Sequence, residues 1–225
     1  MSTGAVRRHT RGRRAARPVD RCGEAVVSAL LLRRKSTRGT LHTEMAFSPD
    51  QYFKAFTFAA RAHGEQKTPT GLPYVVHVSL VCMEVIEAVH VAPGLDGDLA
   101  VTAALLHDVV EDTATSLEGI EAEFGPRVAA GVSALTKDAA LDKQAAMKDS
   151  LVRILEQPPE IAMVKLADRI TNLAPPPPHW GAAKIAAYRD EGQLILDTLG
   201  ATSQHLSARL AARLRAYPTA GLDPG

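Results

Sequence analysis

Leu105-Leu106-His107-Asp108-Val109-Val110-Glu111-Asp112-Thr113 is the stretch on which the reading of this chain turns. Each residue of an α-helix advances about 100°, so His107, Glu111, Asp108 and Asp112 fall at about 0°, 40°, 100° and 140°. Four polar groups then share less than half the circumference of a helix that is otherwise apolar. Three carboxylates at that density repel one another, and burial strips their hydration. A divalent cation resolves both costs, and imidazole with carboxylate suits Mn, Fe or Zn. A His-Asp pair alone is weak evidence, because a charged helix face is usually solvated.

The flanking sequence is helical throughout. Only 4% of residues are aromatic while 46% are hydrophobic, and Val and Ile are scattered among Ala and Leu rather than gathered in alternating runs. That composition favours helices over strands. Ser48-Pro49 predicts an N-cap followed by proline at the first helical position, with a helix to His63. Thr68–Pro73 predicts a loop. Further helices are expected over Val76–Val89, Gly97 to about Val110, Pro126 to about Leu135, Leu141–Glu156, Pro159–Leu173, His179–Leu199 and Gln204–Ala216. Thr115 with Glu118 reads as a capping box for a short helix ending at Gly125. Pro175–Pro178 is a rigid break. No segment reads as a strand and no internal repeat is present. The expectation is a single all-α domain, a helical bundle of about eight or more helices.

The net charge of +1 conceals a split. Residues 1–44 carry 11 basic and 3 acidic residues, net +8, and the remainder is −7. A cationic, unstructured extension over 1–44 is expected ahead of a domain over 45–217, with a flexible C-terminus over 218–225. Three readings of the extension stand: a basic arm for nucleic acid or a membrane surface, a targeting peptide, or a dispensable segment ahead of Met45. The position of Met45, just before the first helix signal, favours the last. The acidic body argues against nucleic acid as the domain's own ligand. Two cysteines, Cys22 and Cys82, make no disulfide framework, so a reducing, cytoplasmic setting is expected. No apolar run approaches the roughly 18–20 residues of a membrane span, and no membrane association is expected.

Two more segments bear on the site. His77 follows Pro73-Tyr74-Val75-Val76 at the start of an apolar helix, where a core or capping histidine is the common alternative. Asp168 lies in Val164-Lys165-Leu166-Ala167-Asp168-Arg169-Ile170-Thr171-Asn172-Leu173, near the buried boundary of its helix. The alternative for Asp168 is a surface pair with Lys165 or Arg169.

Together these pieces resemble the HD-domain metal phosphohydrolases, and among them the small alarmone hydrolases and the hydrolase half of the long stringent-response enzymes. The matching pieces run in order: Ala59–His63, Gly71–His77, Leu105–Thr113, Leu135-Thr136-Lys137, Val164–Leu173, and Trp180 with Tyr188. The resemblance covers about 48–200. It implies a metal, usually manganese, held by His77, His107, Asp108 and Asp168. It implies that Glu111 and Asp112 act on the attacking water, and that Lys67, Asn172 and Tyr188 bind the nucleotide. For Lys67 and Tyr188 a solvated loop lysine and an amphipathic core tyrosine remain alternatives. His63 receives no metal role and reads as packing at the end of the first helix.

The chain departs from the family pattern at Gln66, where arginine is usual, at Val78, where proline is usual, and at Pro175–Pro178. None of these touches the metal set; all bear on the pocket, and a guanidinium able to stack on a base is missing. The implied activity is removal of the 3′-pyrophosphate from guanosine tetra- or pentaphosphate. Hydrolysis of another nucleotide or phosphate ester, and a non-catalytic nucleotide-binding module, are the rival readings.

Overall fold

A computed structural model describes Met1 and residues 47–219. The expectations for the 1–44 extension and the 218–225 tail lie outside the described residues, apart from Met1, Pro218 and Thr219. Among the described residues there is no strand, only an isolated bridge between Lys67 and Pro73 that closes the TPTGLP loop. The all-α expectation holds.

Helix α1 spans Pro49–His63, with the Ser48 side chain accepting from the Gln51 amide and proline in the first turn. Ala55, Ala59 and His63, four residues apart, form its buried stripe. It closes at Gly64, whose φ of 49° favours a residue without Cβ. Helix α2 spans Tyr74–Val91, a turn or so longer than expected. By length and hydropathy it reaches a membrane span, contrary to the reading of the sequence. It packs against α1, α3, α8 and α10, burying Val78, Val81, Cys82, Val85, Ala88 and Val89 while Leu80, Met83 and Val91 stay exposed.

Helix α3, Gly97–Leu106, is capped by Asp96, and Leu99 through Leu106 are all buried. It does not run on to Val110. The chain leaves helical hydrogen bonding at His107 and Asp108, and a single turn, α4, follows at Val109–Asp112. At the break His107 Nδ1 lies 2.9 Å from the carbonyl of Ala104, the acceptor that the amide of residue 108 would use in a continued helix.

Helix α5, Leu117–Phe124, is capped by Ser116, which accepts from the Gly119 amide. The expected capping box on Thr115 does not form, because the Thr115 amide and hydroxyl turn back to Thr113. Helices α6 (Pro126–Leu135), α7 (Lys143–Leu155), α8 (Pro159–Asn172) and α9 (Ala182–Leu199) follow. A 3-10 turn (Gly200–Thr202) leads to α10 (Gln204–Ala216). Helix α7 starts after its cap Asp142, and α9 starts three residues later than expected, beyond the proline run.

Helix α8 is the axis of the bundle. Every residue from Glu160 to Ile170 is buried, and it touches α2, α3, α6, α7, α9 and α10. Gly131 of α6 lies against fully buried Ile161 of α8, where an added Cβ would overlap Ile161 Cδ1. Gly131→Ala is therefore expected to destabilise the protein by about 1–3 kcal/mol through overpacking. A urea midpoint equal to or above that of the parent would contradict this.

Candidate metal centre and adjoining cavity

The four residues expected to hold a metal come from three places: His77 from the first turn of α2, His107 and Asp108 from the α3–α4 break, and Asp168 from mid-α8. The structure brings them together. His77 Nε2 is 3.5 Å from Asp108 Oδ2 and 3.4 Å from Asp168 Oδ1. His107 Nε2 is 3.0 Å from Asp108 Oδ2 and 3.8 Å from Asp168 Oδ1. His77, His107 and Asp168 each offer a donor atom, all within 4.8 Å of one another. Asp108 faces both imidazoles and also accepts from Tyr74 Oη at 2.6 Å.

The donor set fits a divalent cation. His107 Nδ1 is engaged by the Ala104 carbonyl, which places its proton there and leaves the Nε2 lone pair facing the carboxylates. That Nε2 is buried and has no hydrogen-bond partner. Two imidazole nitrogens and two carboxylates meeting in a largely buried site need positive charge between them, supplied by a cation or by protons.

The proton affinities reflect this need. Burial pulls both histidines down, but Asp108 and Asp168 overcome it and raise both above the ordinary value. Burial works against the charged form of both aspartates, yet His107 beside Asp108 and Lys165 beside Asp168 depress them. In the metal-free protein the histidines therefore stabilise the fold below their unfolded value of about 6.5, and this contribution is lost as pH rises through their folded values. The aspartates' contribution is present above about 4 and is lost as pH falls through their depressed values. A cation must displace the histidine protons, so its affinity is expected to rise as pH climbs toward the raised histidine values, with proton release. Calorimetric titration of manganese in buffers of different ionisation enthalpy measures both; a pH-independent affinity without proton release would contradict the assignment.

Glu111 and Asp112 lie on α4, beside the centre, and each is held from a distant part of the chain. Glu111 accepts from the Lys137 amide at 3.1 Å and from Lys137 Nζ at 2.5 Å. Asp112 accepts from Gln66 Nε2 at 3.1 Å. Asp168 is indeed paired with Lys165, at 3.3 Å, but the pair is buried rather than on the surface. Arg169 turns away from Asp168 to Glu191 and covers the Tyr188 ring, its guanidinium 4.5 Å from the centroid.

A cavity of about 380 Å³ adjoins His77. Asn172, Tyr188, Trp180 and Tyr217 line it on one side, and Tyr74, Leu72 and Leu80 on the other. Asn172 donates to Asp168 Oδ1, one turn away on the same face. Tyr188 meets Trp180 edge-on at 5.2 Å, and burial pushes its phenol up to about 12. Lys67 is exposed and is not part of the wall; among the described residues no lysine or arginine lines the cavity. Tyr217 gave no signal in the sequence, since it follows the last helix. Lys137 and Tyr74 were visible only as members of the LTK and PY pieces.

A model of the HD domain matches residues 55–202. The chain belongs to the HD-domain family. It is 32% identical over 167 residues to guanosine-3′,5′-bis(diphosphate) 3′-pyrophosphohydrolase MESH1 of Mus musculus, covering 71% of this chain and 90% of that protein. It is 37% identical over 123 residues to an enzyme of the same activity name from Aquifex aeolicus, covering 53% of this chain but 17% of that longer protein. A solved structure described as a metazoan ortholog of SpoT that hydrolyzes ppGpp aligns with a TM-score of 0.65 and 28% identity, over 77% of this chain and 98% of that one. The His/Asp centre of this HD domain is of the divalent-cation type.

Proposed function

We propose that the chain is a metal-dependent phosphohydrolase that removes the 3′-pyrophosphate from guanosine tetra- or pentaphosphate. The observation that carries the reading is one of placement. A His/Asp cluster whose carboxylates call for positive charge adjoins an aromatic-walled cavity, with two anchored carboxylates on the helix turn that follows Asp108. The printed activities of the MESH1 and Aquifex relatives support it.

His77, His107, Asp108 and Asp168 would hold the ion, which we take to be manganese. When bound it supplies Lewis acidity toward a phosphoryl oxygen and acidifies water. The chain's own residues do the rest. Glu111 and Asp112 orient the attacking water and accept its proton. A bond forms from the water oxygen to the proximal phosphorus of the 3′-pyrophosphate, and the bond from that phosphorus to the 3′ oxygen breaks. Pyrophosphate leaves, and the 3′ oxygen takes a proton to become a hydroxyl. Tyr188 packs against the nucleoside and Asn172 hydrogen-bonds near the sugar, while Lys67 works from the rim. The aromatic wall excludes water around the nucleoside.

Residues 45–217 would form the working domain, with 1–44 an extension not needed for it, in a cytoplasmic setting without membrane attachment. The second reading, hydrolysis of another nucleotide or phosphate ester, is favoured by the absence of lysine and arginine from the cavity wall among the described residues. A substrate panel with manganese decides between them. Guanosine tetra- and pentaphosphate should exceed GTP, GDP and simple phosphate esters in kcat/KM by at least about 100-fold, near 3 kcal/mol of discrimination. Equal or reversed preference would favour the second reading.

A further inference from the structure

We infer that Gln66 is a positioning residue that aims Asp112 at the hydrolytic centre, with His63 in turn fixing Gln66. The inference rests on the proposed role of Asp112 as a water-directing carboxylate.

The backbone of Gln66 is pinned on both sides: its amide donates to the His63 carbonyl at 2.9 Å and its carbonyl accepts from the Tyr74 amide at 2.9 Å. Its side chain then bridges two groups. Nε2 donates to Asp112 Oδ2 at 3.1 Å, and Oε1 is 2.9 Å from His63 Nδ1. The polarity of this chain follows from chemistry. A carboxylate only accepts, so the amide nitrogen must face Asp112. The amide oxygen is left for His63, which therefore donates from Nδ1. His63 is buried, its ring packed on Tyr74 with centroids 4.6 Å apart, so it is a rigid anchor.

Asp112 needs such an anchor. It ends the one-turn helix α4, and the chain is extended at the next residue. The Tyr74 phenol is also close to Asp112, but its hydroxyl donates to Asp108. An exposed carboxylate at a helix end samples several rotamers, and a second group that fixes one of them preorganises the site. Gln66 does not line the cavity.

Gln66→Leu in the full chain, loaded with manganese and assayed on guanosine tetraphosphate, should lower kcat about 10–100-fold with KM within about twofold. Manganese affinity should be unchanged. In an Asp112→Asn background the same change should cost nothing further, because both act through one group. A raised KM with intact kcat, or losses that multiply in the double variant, would overturn the inference. A readout independent of the substrate is the side-chain amide of Gln66 in ¹H–¹⁵N spectra of the metal-free protein. The separation of its two proton shifts should collapse in Asp112→Ala; no change would overturn the inference even if guanosine tetraphosphate proved not to be the substrate. Absence of turnover by the parent protein, with the amide shift behaving as expected, would instead overturn the proposed function and leave the Gln66 contact standing.

Discussion

Asp168→Asn is expected to lose its metal and to lower turnover by more than about 100-fold, beyond what the loss of an outer partner brings. Asparagine keeps the shape of the side chain and removes its charge. Oδ1 of Asp168 is 3.4 Å from His77 Nε2 and 3.8 Å from His107 Nε2, so the change strips one anionic donor from a cluster of three. It also strands Lys165. That ammonium is buried, 3.3 Å from Asp168 Oδ2, with the two side chains only 7% and 8% exposed. Leaving one member of such a pair behind costs about 3–5 kcal/mol. The variant should therefore be less stable to urea than the parent even when both are metal-free. Lys165→Met added to Asp168→Asn should restore much of that stability without restoring metal or activity. Elemental analysis, urea denaturation and turnover measure the three effects separately. Full metal occupancy with parental activity in Asp168→Asn would remove Asp168 from the ligand set.

Glu111→Gln and Asp112→Asn should behave in the opposite way. Each is expected to lower kcat by about 10²–10⁴-fold, the range of a lost general base or water-orienting group, while manganese affinity and stability stay near parental. The Glu111–Lys137 pair is 28–29% exposed on each side, and a partly solvated ion pair is worth about 0–1 kcal/mol. Lys137 loses a charged partner in Glu111→Gln but keeps water within reach. If either variant lost its metal along with its activity, that carboxylate would be a ligand and not a water-directing group.

The sequence carried the parts of this site whose logic is local. Ser48 with Pro49 marked the start of α1, Pro126 marked that of α6, and Gln204–Ala216 was bounded as the structure has it. The LLHDVVEDT stretch was legible as a polar cluster because four ionisable groups in six residues are conspicuous amid an apolar helix. Its geometry was not. The helical wheel assumed a continuous helix, but the helix stops at His107 and Asp108 and resumes at Val109, with the His107 ring against the Ala104 carbonyl. Side-chain competition moved the α5 cap from Thr115 to Ser116.

Contacts between distant segments were illegible for a different reason. Periodicity relates residues within one element, whereas Gln66 and Asp112 are 46 residues apart, and Glu111 and Lys137 are 26 apart. Gln66 could be noted as a departure from a family pattern, but which way its amide points depends on His63 and α4 together. Asn172 shows both sides. Its spacing from Asp168 placed it on the correct face, but the hydrogen bond to that carboxylate gives it a structural duty that spacing could not reveal.

The most direct test of the central proposal is product identification. The purified full-length protein, stripped of metal and then supplied with manganese, is incubated with guanosine tetraphosphate and followed by ³¹P NMR and anion-exchange chromatography. The expected products are pyrophosphate and GDP in equal amounts, formed with the metal and absent without it. Release of orthophosphate in place of pyrophosphate, or no reaction with manganese present, would contradict the proposal.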